Sequence, residues 1–335
     1  MTRYPQTIMH LSGGLRAEFP SNGNFNIWPI PGYGGFQINN MPEGQYFAEI
    51  EKFGLSWIGI DEIDQMDSLS IRIWTDFTYG YIPKISESRV ADSVSAHCSG
   101  ISYAYKLDGK EVQADLAEKI SFHLRASSIR LRDISDSYGK QLEYACNKNM
   151  KSYHDFTNLE VDNLILSAHS FLMEICALRD YISLISSEFI FGIKRQQYMR
   201  KLADELRKNS INHNLKSIIV NATDDNSDDP WLYHLTEYRN YITHYAPLYH
   251  ASQSQNMKIL DLQHPYDHEM IAVTYRIPWN VKDKGENRRE CDLLLRFHQL
   301  LIMMQKLCLE TAFSTGIQPQ YLNIGPHDII GMEMI

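Results

Sequence analysis

The sequence predicts an α+β protein, with a β-rich N-terminal domain followed by an antiparallel helical bundle that carries a β-hairpin insertion. Three observations predict it. Residues 69 to 82 alternate as a strand does, with Leu69, Ile71, Ile73, Thr75, Phe77, Tyr79 and Tyr81 on one side and Ser70, Arg72, Asp76 and Thr78 on the other. From about residue 111 the pattern turns helical, in long apolar segments joined mostly by short links. Within that helical part, MKILDL (257 to 262) and EMIAVTYRI (269 to 277) flank HPYDH as two arms of a hairpin. The expected domains are residues 1–110, residues 111–316 with the insertion at about 255–280, and a tail at 317–335.

Taken in order, QYFAEIE, GLSWIGI and ISYAYKL are strand candidates separated by Gly- and Pro-bearing turns. PIPGYGGF (29 to 36) is glycine-rich, but no helix follows it, so it reads as a turn or bulge cluster rather than a phosphate cradle. The stretch 111 to 145 reads as one long or kinked helix. Residues 159 to 192 are apolar nearly all round and end at Gly192, which suits a central bundle helix. A basic amphipathic helix is expected over 196 to 217, an Asp/Asn/Ser loop over 221 to 229, and a helix from Trp231 that stops by Pro247. The last long helix is expected over 287 to 313, before Gly316.

Composition narrows the function classes. Of 335 residues, 44% are hydrophobic and 22% charged, the balance of a globular chain with a real core. The N-terminus lacks the charged-then-apolar order of a secretion signal, and no run of eighteen apolar residues occurs, so a soluble cytoplasmic protein with no membrane partner is expected. Five scattered cysteines without a C-x-x-C read as reduced core thiols. A net charge of −9 argues against wholesale coating of nucleic acid but not against a local basic track. Lys194, Arg195, Arg200, Lys201, Arg207 and Lys208 form such a track, which as a substrate-binding group would guide an RNA backbone and otherwise is a solvated helix face.

The chemistry concentrates in WLYHLTEYRNYITHYAPLYH (231 to 250). At about 100° per residue, Trp231, Leu235, Tyr238, Ile242, Tyr245 and Tyr249 fall in one arc, the buried side. Arg239, Asn240, Thr236, Thr243 and His244 fall opposite, with Arg239 about 140° round from His244. Asn240 stands four residues before His244, close enough to orient its ring. Cleaving RNA through the 2′-hydroxyl needs a group that takes a proton near neutral pH, which an imidazole does, and a fixed cation on the phosphate, which a guanidinium supplies with two prongs. No metal is required for that reaction, and no cofactor or metal ligand set is expected. Spacing alone selects nothing, since Arg3…His10 and Arg207…His213 are comparable.

Arg239-Asn240-Tyr241-Ile242-Thr243-His244 resembles the R-polar-x3-H signature of the HEPN superfamily (higher eukaryotes and prokaryotes nucleotide-binding), with Asn240 as the polar residue. The resemblance covers about residues 111 to 316. It implies a helical bundle, a metal-independent endoribonuclease with Arg239, Asn240 and His244 as catalytic residues, and a homodimer whose two motif helices share one cleft. A toxin or antiviral-defence effector, with a possible antitoxin or regulatory protein as partner, is the biological setting it implies. Some toxins of the superfamily carry a modified tyrosine two residues after the histidine; here that position is Ala246, so that regulation is not carried over. The alternative is a non-catalytic module that binds a nucleotide or a protein partner.

Other constellations read as structure. His264, Asp267 and His268, with His250 nearby, offer metal-ligand types, but on a turn without helical H-x-x-x-H support. His234 reads as a partly buried structural histidine. His97-Cys98 lacks a visible third partner.

Overall fold

The computed structural model describes residues 6–18, 25–28, 36–38, 50–66, 69–76, 93–244, 257–263, 269–281 and 289–321. Ten strands and seven α-helices are defined among them. The first six strands are β1 (Gln6–Leu11), β2 (Arg16–Glu18), β3 (Phe25–Trp28), β4 (Phe36–Ile38), β5 (Trp57–Met66) and β6 (Leu69–Asp76). They form one antiparallel sheet in the order β4-β3-β2-β1-β5-β6. Helices α1 (Val94–Leu107) and α2 (Glu111–Asn147) follow, then β7 (Asp155–Phe156), α3 (Glu160–Ile185), α4 (Met199–Lys208), α5 (Asn214–Thr223) and α6 (Trp231–His244). The chain continues through β8 (Met257–Gln263), β9 (Glu269–Pro278), β10 (Glu290–Asp292) and α7 (Leu293–Ser314), and a second antiparallel sheet has the order β10-β9-β8-β7. The architecture is thus mixed α and β, with two antiparallel sheets.

The chain forms two compact units, which cut across the serial division into 1–110 and 111–316. One contains residues 1–82, 125–177 and 221–304; the other contains 83–124, 178–220 and 305–335. The long helices α2, α3 and α7 contribute residues to both.

In the first unit the six-stranded sheet lies against the second half of α2. Two glycines permit the approach. Gly14 has φ +84°, and a Cβ there would stand 2.5 Å from the Tyr138 carbonyl oxygen. Gly59 leaves room for the Trp74 ring, which a Cβ would meet at 2.3 Å. Trp74 donates its indole N–H to Ser128 Oγ at 3.0 Å. The inward side of β6 therefore carries Arg72 and Trp74, while Ile73 is 54% exposed. That inverts the side that apolar alternation would bury. The hairpin β8–β9 is as read, in register from Met257↔Tyr275 to Gln263↔Glu269. Tyr138, fully buried on α2, ties α2, β9 and α7 together: its hydroxyl donates to Asp292 Oδ2 at 2.9 Å and accepts from the Tyr275 N–H at 3.1 Å. Asp292 also caps α7 by accepting from the Leu295 N–H at 2.9 Å. Phe171 and Phe297 stack at 4.8 Å between α3 and α7.

In the second unit Ile101, Tyr105, Ala114, Ala117 and Ala312 form an apolar cluster with Ile317 against it. Here the strand expected at ISYAYKL is a correction: those residues end α1. Ser93 caps that helix through the Ala96 N–H, and the buried Cys98, Ile101 and Tyr105 keep helical spacing. The basic helix expected over 196 to 217 is also corrected, because it divides into α4 and α5. Asn209 at the end of α4 adopts ψ 140°, which breaks the helix. In the first sheet's region, residues 45–49 of QYFAEIE lie outside the described residues and Ile50–Lys52 form a helical turn. The PIPGYGGF turn and residues 77–82 also lie outside the described residues, apart from Phe36 in β4. The 31-residue helical stretch Glu160–Ile190 is long and apolar enough to cross a membrane by length and composition, and half of its most apolar window is buried inside the protein.

Candidate functional site

Helix α6 presents two different faces. Trp231, Leu232, Leu235 and Tyr238 are buried, and Tyr238 anchors the helix by donating to the Pro278 carbonyl at 2.7 Å. His234 shares this buried face and meets Arg296 through Nδ1 at 3.0 Å, in keeping with a structural role. On the other side Arg239 and Asn240 are half-buried, and Thr243 and His244 are exposed. Arg239 donates from Nη1 to Asn240 Oδ1 at 3.3 Å, and Thr243 donates to the Arg239 carbonyl at 2.8 Å. Asn240 therefore fixes the arginine, whereas the sequence spacing pointed to the histidine. Among the described residues Arg239 forms no ion pair with an acid. Arg239 and His244 are five residues apart, about 7.5 Å along the helix axis. Tyr245, Ala246, Pro247 and Tyr249 lie outside the described residues, as do His250, His264, Asp267 and His268.

The basic track does not join this helix in one unit. Lys194, Arg195, Arg200, Lys201, Arg207 and Lys208 all belong to the second unit, and Arg239, Asn240 and His244 to the first. Three of the six are paired with acids: Arg207 with Asp204 at 2.7 Å, Lys208 with Glu205 at 2.9 Å and Arg195 with Glu188 at 3.9 Å. Lys201 lies over the Tyr198 ring at 5.2 Å. For Arg207 and Lys208 these are the contacts of a solvated helix face. At Cys98, burial pushes the thiol up to about 12, so beside His97 it is no nucleophile.

Sequence reasoning missed a buried ionic network where the first sheet meets α2. A bulge between His10 and Leu11 in β1 locates it. His10 is 1% exposed, and its Nε2 lies 2.8 Å from Asp61 Oδ2 while its Nδ1 lies 3.0 Å from Ser135 Oγ. Arg72 donates to Asp61 from Nε at 2.6 Å and also from Nη2, and it pairs with Asp136 at 3.0 Å. Arg16 donates to Asp136 at 3.3 Å and to the Ser135 carbonyl at 3.0 Å. Burial, then the Arg16 charge, pulls the His10 imidazole down to about 4. Burial also draws Arg16 down to about 10. Burial alone would raise Asp61, but the hydrogen bonds from His10 and Arg72 outweigh it and hold that carboxyl below its ordinary value.

The order Ser135–His10–Asp61 has the form of a nucleophile, base and acid relay. Ser135 is fully buried, and Asp61 Oδ2 is shared with Arg72, so nothing can reach the hydroxyl. His10, Asp61 and Asp136 also offer metal-ligand atoms within 4.8 Å of one another. The two carboxylates are already balanced by two guanidiniums, however, and a divalent cation would leave excess positive charge there. Three polar residues in the inward register of apolar strands, His10 in TIMHL, Asp61 in WIGIDEI and Arg72 opposite it, were the available signal.

Comparison with known proteins returned no matching family model, no matching curated protein and no matching solved structure.

Proposed function

We propose that this chain is a metal-independent endoribonuclease of HEPN type, acting through Arg239, Asn240 and His244 on α6. The observation that carries the reading is one helix bearing a guanidinium without an acidic partner among the described residues, and a solvent-open imidazole five residues on. An arginine facing no acid is available to a phosphate, and the amide of Asn240 holds its fork in place. In the reaction, His244 takes the proton of a ribose 2′-hydroxyl. The 2′-oxygen attacks the adjacent phosphorus, the bond to the 5′-oxygen breaks, and that oxygen leaves with a proton from a second acid. The products are a 2′,3′-cyclic phosphate and a 5′-hydroxyl. A homodimer that brings two α6 helices together supplies the second imidazole and a second guanidinium. A role as a toxin or antiviral-defence effector, restrained by an antitoxin or regulatory protein, belongs to the same proposal.

A second reading is favoured by one detail. Asn240 engages Arg239 rather than His244, so among the described residues the imidazole has no group to set its tautomer. A module that binds a nucleotide or a protein partner without cutting RNA needs no such group.

The test incubates purified wild type, Arg239→Ala and His244→Ala with RNA in excess EDTA. General acid–base chemistry predicts a loss of about 100-fold or more in either variant, with cyclic-phosphate ends from the wild type. Cleavage that requires magnesium would sink the mechanism, and inertness of a folded dimeric wild type would favour the binding module.

A further inference from the structure

Arg296 is a buried cation on α7. It is 1% exposed, and among the described residues it pairs with no acid. Its Nη2 meets His234 Nδ1 at 3.0 Å, and its guanidinium carbon lies 3.9 Å from the centroid of the Trp279 ring. Its Nε has no hydrogen-bond partner among the described residues. Asp292, one turn earlier on the chain, is engaged elsewhere: its two oxygens accept from Leu295 N–H, Thr274 Oγ1 and Tyr138 Oη. Glu290 lies toward Arg276 at 3.7 Å.

A second guanidinium shares the same indole. Arg289 is exposed, forms no ion pair among the described residues, and has its guanidinium carbon 4.5 Å from the Trp279 ring. The backbone fixes this arrangement, because the Trp279 N–H donates to the Arg289 carbonyl at 2.8 Å and Tyr238 donates to the Trp279 carbonyl at 2.9 Å. The half-buried indole thus carries both a dry arginine and a wet one, and the His234 ring lies with its centroid 6.1 Å from that of the indole in a T-shaped arrangement. Aromatic stacking offsets part of the cost of burying a guanidinium, but it leaves the Nε donor and the charge unanswered. Two like charges on one ring, an orphaned donor and a nearby imidazole form a receptor for an oxyanion.

We infer that Arg296, Arg289, His234 and Trp279 form a binding site for a phosphate group, taken as free phosphate or as the phosphate of a mononucleotide. A tetrahedral dianion at the rim of Trp279 accepts from Arg296 Nε and from Arg289, answering both guanidiniums at once. The site is independent of the cleavage chemistry assigned to Arg239 and His244.

The experiment is isothermal titration of the full chain with inorganic phosphate and, separately, with adenosine 5′-monophosphate, at constant ionic strength set by chloride. Wild type is expected to bind one phosphate per chain. Arg289→Gln, a change at an exposed position, should weaken binding at least tenfold. Arg296→Met removes the buried charge. Where it folds, it should melt no lower than wild type in chloride and gain nothing from phosphate. Equal affinity for the two ligands points to free phosphate, whereas tighter binding of the nucleotide places its base on Trp279. Either supports the site. Absence of binding by wild type overturns the inference, as does binding by Arg289→Gln that matches wild type. Loss of binding in Arg239→Ala, with Arg289→Gln unaffected, would assign the anion to α6 instead and likewise overturn it.

Discussion

Replacing His10 by Gln should flatten the acid limb of the stability curve. The wild-type imidazole is buried beside Arg16 and is drawn from its ordinary 6.5 down to about 4. The folded protein therefore holds this ring neutral between those two values, while the unfolded chain protonates it. More protons bound to the unfolded state means that stability rises with pH across the window and is lost as pH falls through it. The full shift corresponds to about 3 kcal/mol, most of which is lost between about pH 7 and pH 4.5. The groups facing the ring come from four elements: Arg16 on β2, Asp61 on β5, Arg72 and Trp74 on β6, and Ser135 with Asp136 on α2. Asp61 is held below its ordinary value, so its own contribution disappears only below about pH 3.8, outside the window. His97 and His169 are also lowered by burial and share the sign of His10, whereas the raised Asp292 opposes it. The difference between wild type and variant isolates one ring from these others. Gln keeps a donor toward Asp61 and an acceptor, and it does not titrate. Urea unfolding of both proteins at the two pH values measures the difference. Equal losses of stability in wild type and His10→Gln would refute the assignment.

Gly14→Ala should cost about 3 kcal/mol, since the new Cβ meets the Tyr138 carbonyl at 2.5 Å on a backbone with φ +84°; chemical denaturation reads the loss. Asp292→Ala removes the cap of α7 and strands Tyr138 and Thr274, for about 2–3 kcal/mol, while Asp292→Asn retains most of the bonds and should cost less than half as much. Thermal melts of the two variants separate these outcomes. A thiol reagent at about pH 8 should label Cys291 first in the native protein, because Cys98, Cys146, Cys176 and Cys308 are buried. Mass spectrometry of the labelled peptides identifies the site.

Elements whose signal is local were legible in the sequence. The hairpin arms at 257–263 and 269–278 and the long helix 111–147 each carry their period within their own residues. ISYAYKL shows the opposite case. Its aromatic alternation favours a strand when read alone, but Ser93 and Cys98 upstream supply a cap and a helical face that extend through it. On β6 the strand was legible over 69–76, but which of its sides faces α2 was not. Arg72 and Trp74 turn inward because Asp61, Asp136 and Ser128 offer them partners, and those partners are remote in sequence.

The same distinction separates the two kinds of polar site. Arg239, Asn240 and His244 lie within six residues on one helix, so a spacing argument finds them, although the Asn240–Arg239 contact is not in that spacing. An i to i+4 relation makes contact possible between Asn240 and His244; the adjacent guanidinium, longer and charged, takes the amide oxygen instead. His10 reaches Asp61 across 51 residues and Ser135 across 125, and Arg296 reaches His234 across 62. Nothing within a window of the chain encodes such a meeting. What the sequence does carry is the anomaly that requires it, a charged or titratable residue in the inward register of an apolar element. His10 in β1, Asp61 in β5 and Arg296 in the apolar face of α7 each break their element's pattern. A buried charge must be answered by a partner or by a ligand. For His10 and Asp61 the answering groups are within the fold, which makes that network a pin. For Arg296 the described residues supply a ring and an imidazole but no anion, and that difference in charge balance is what separates a structural polar cluster from a receptor.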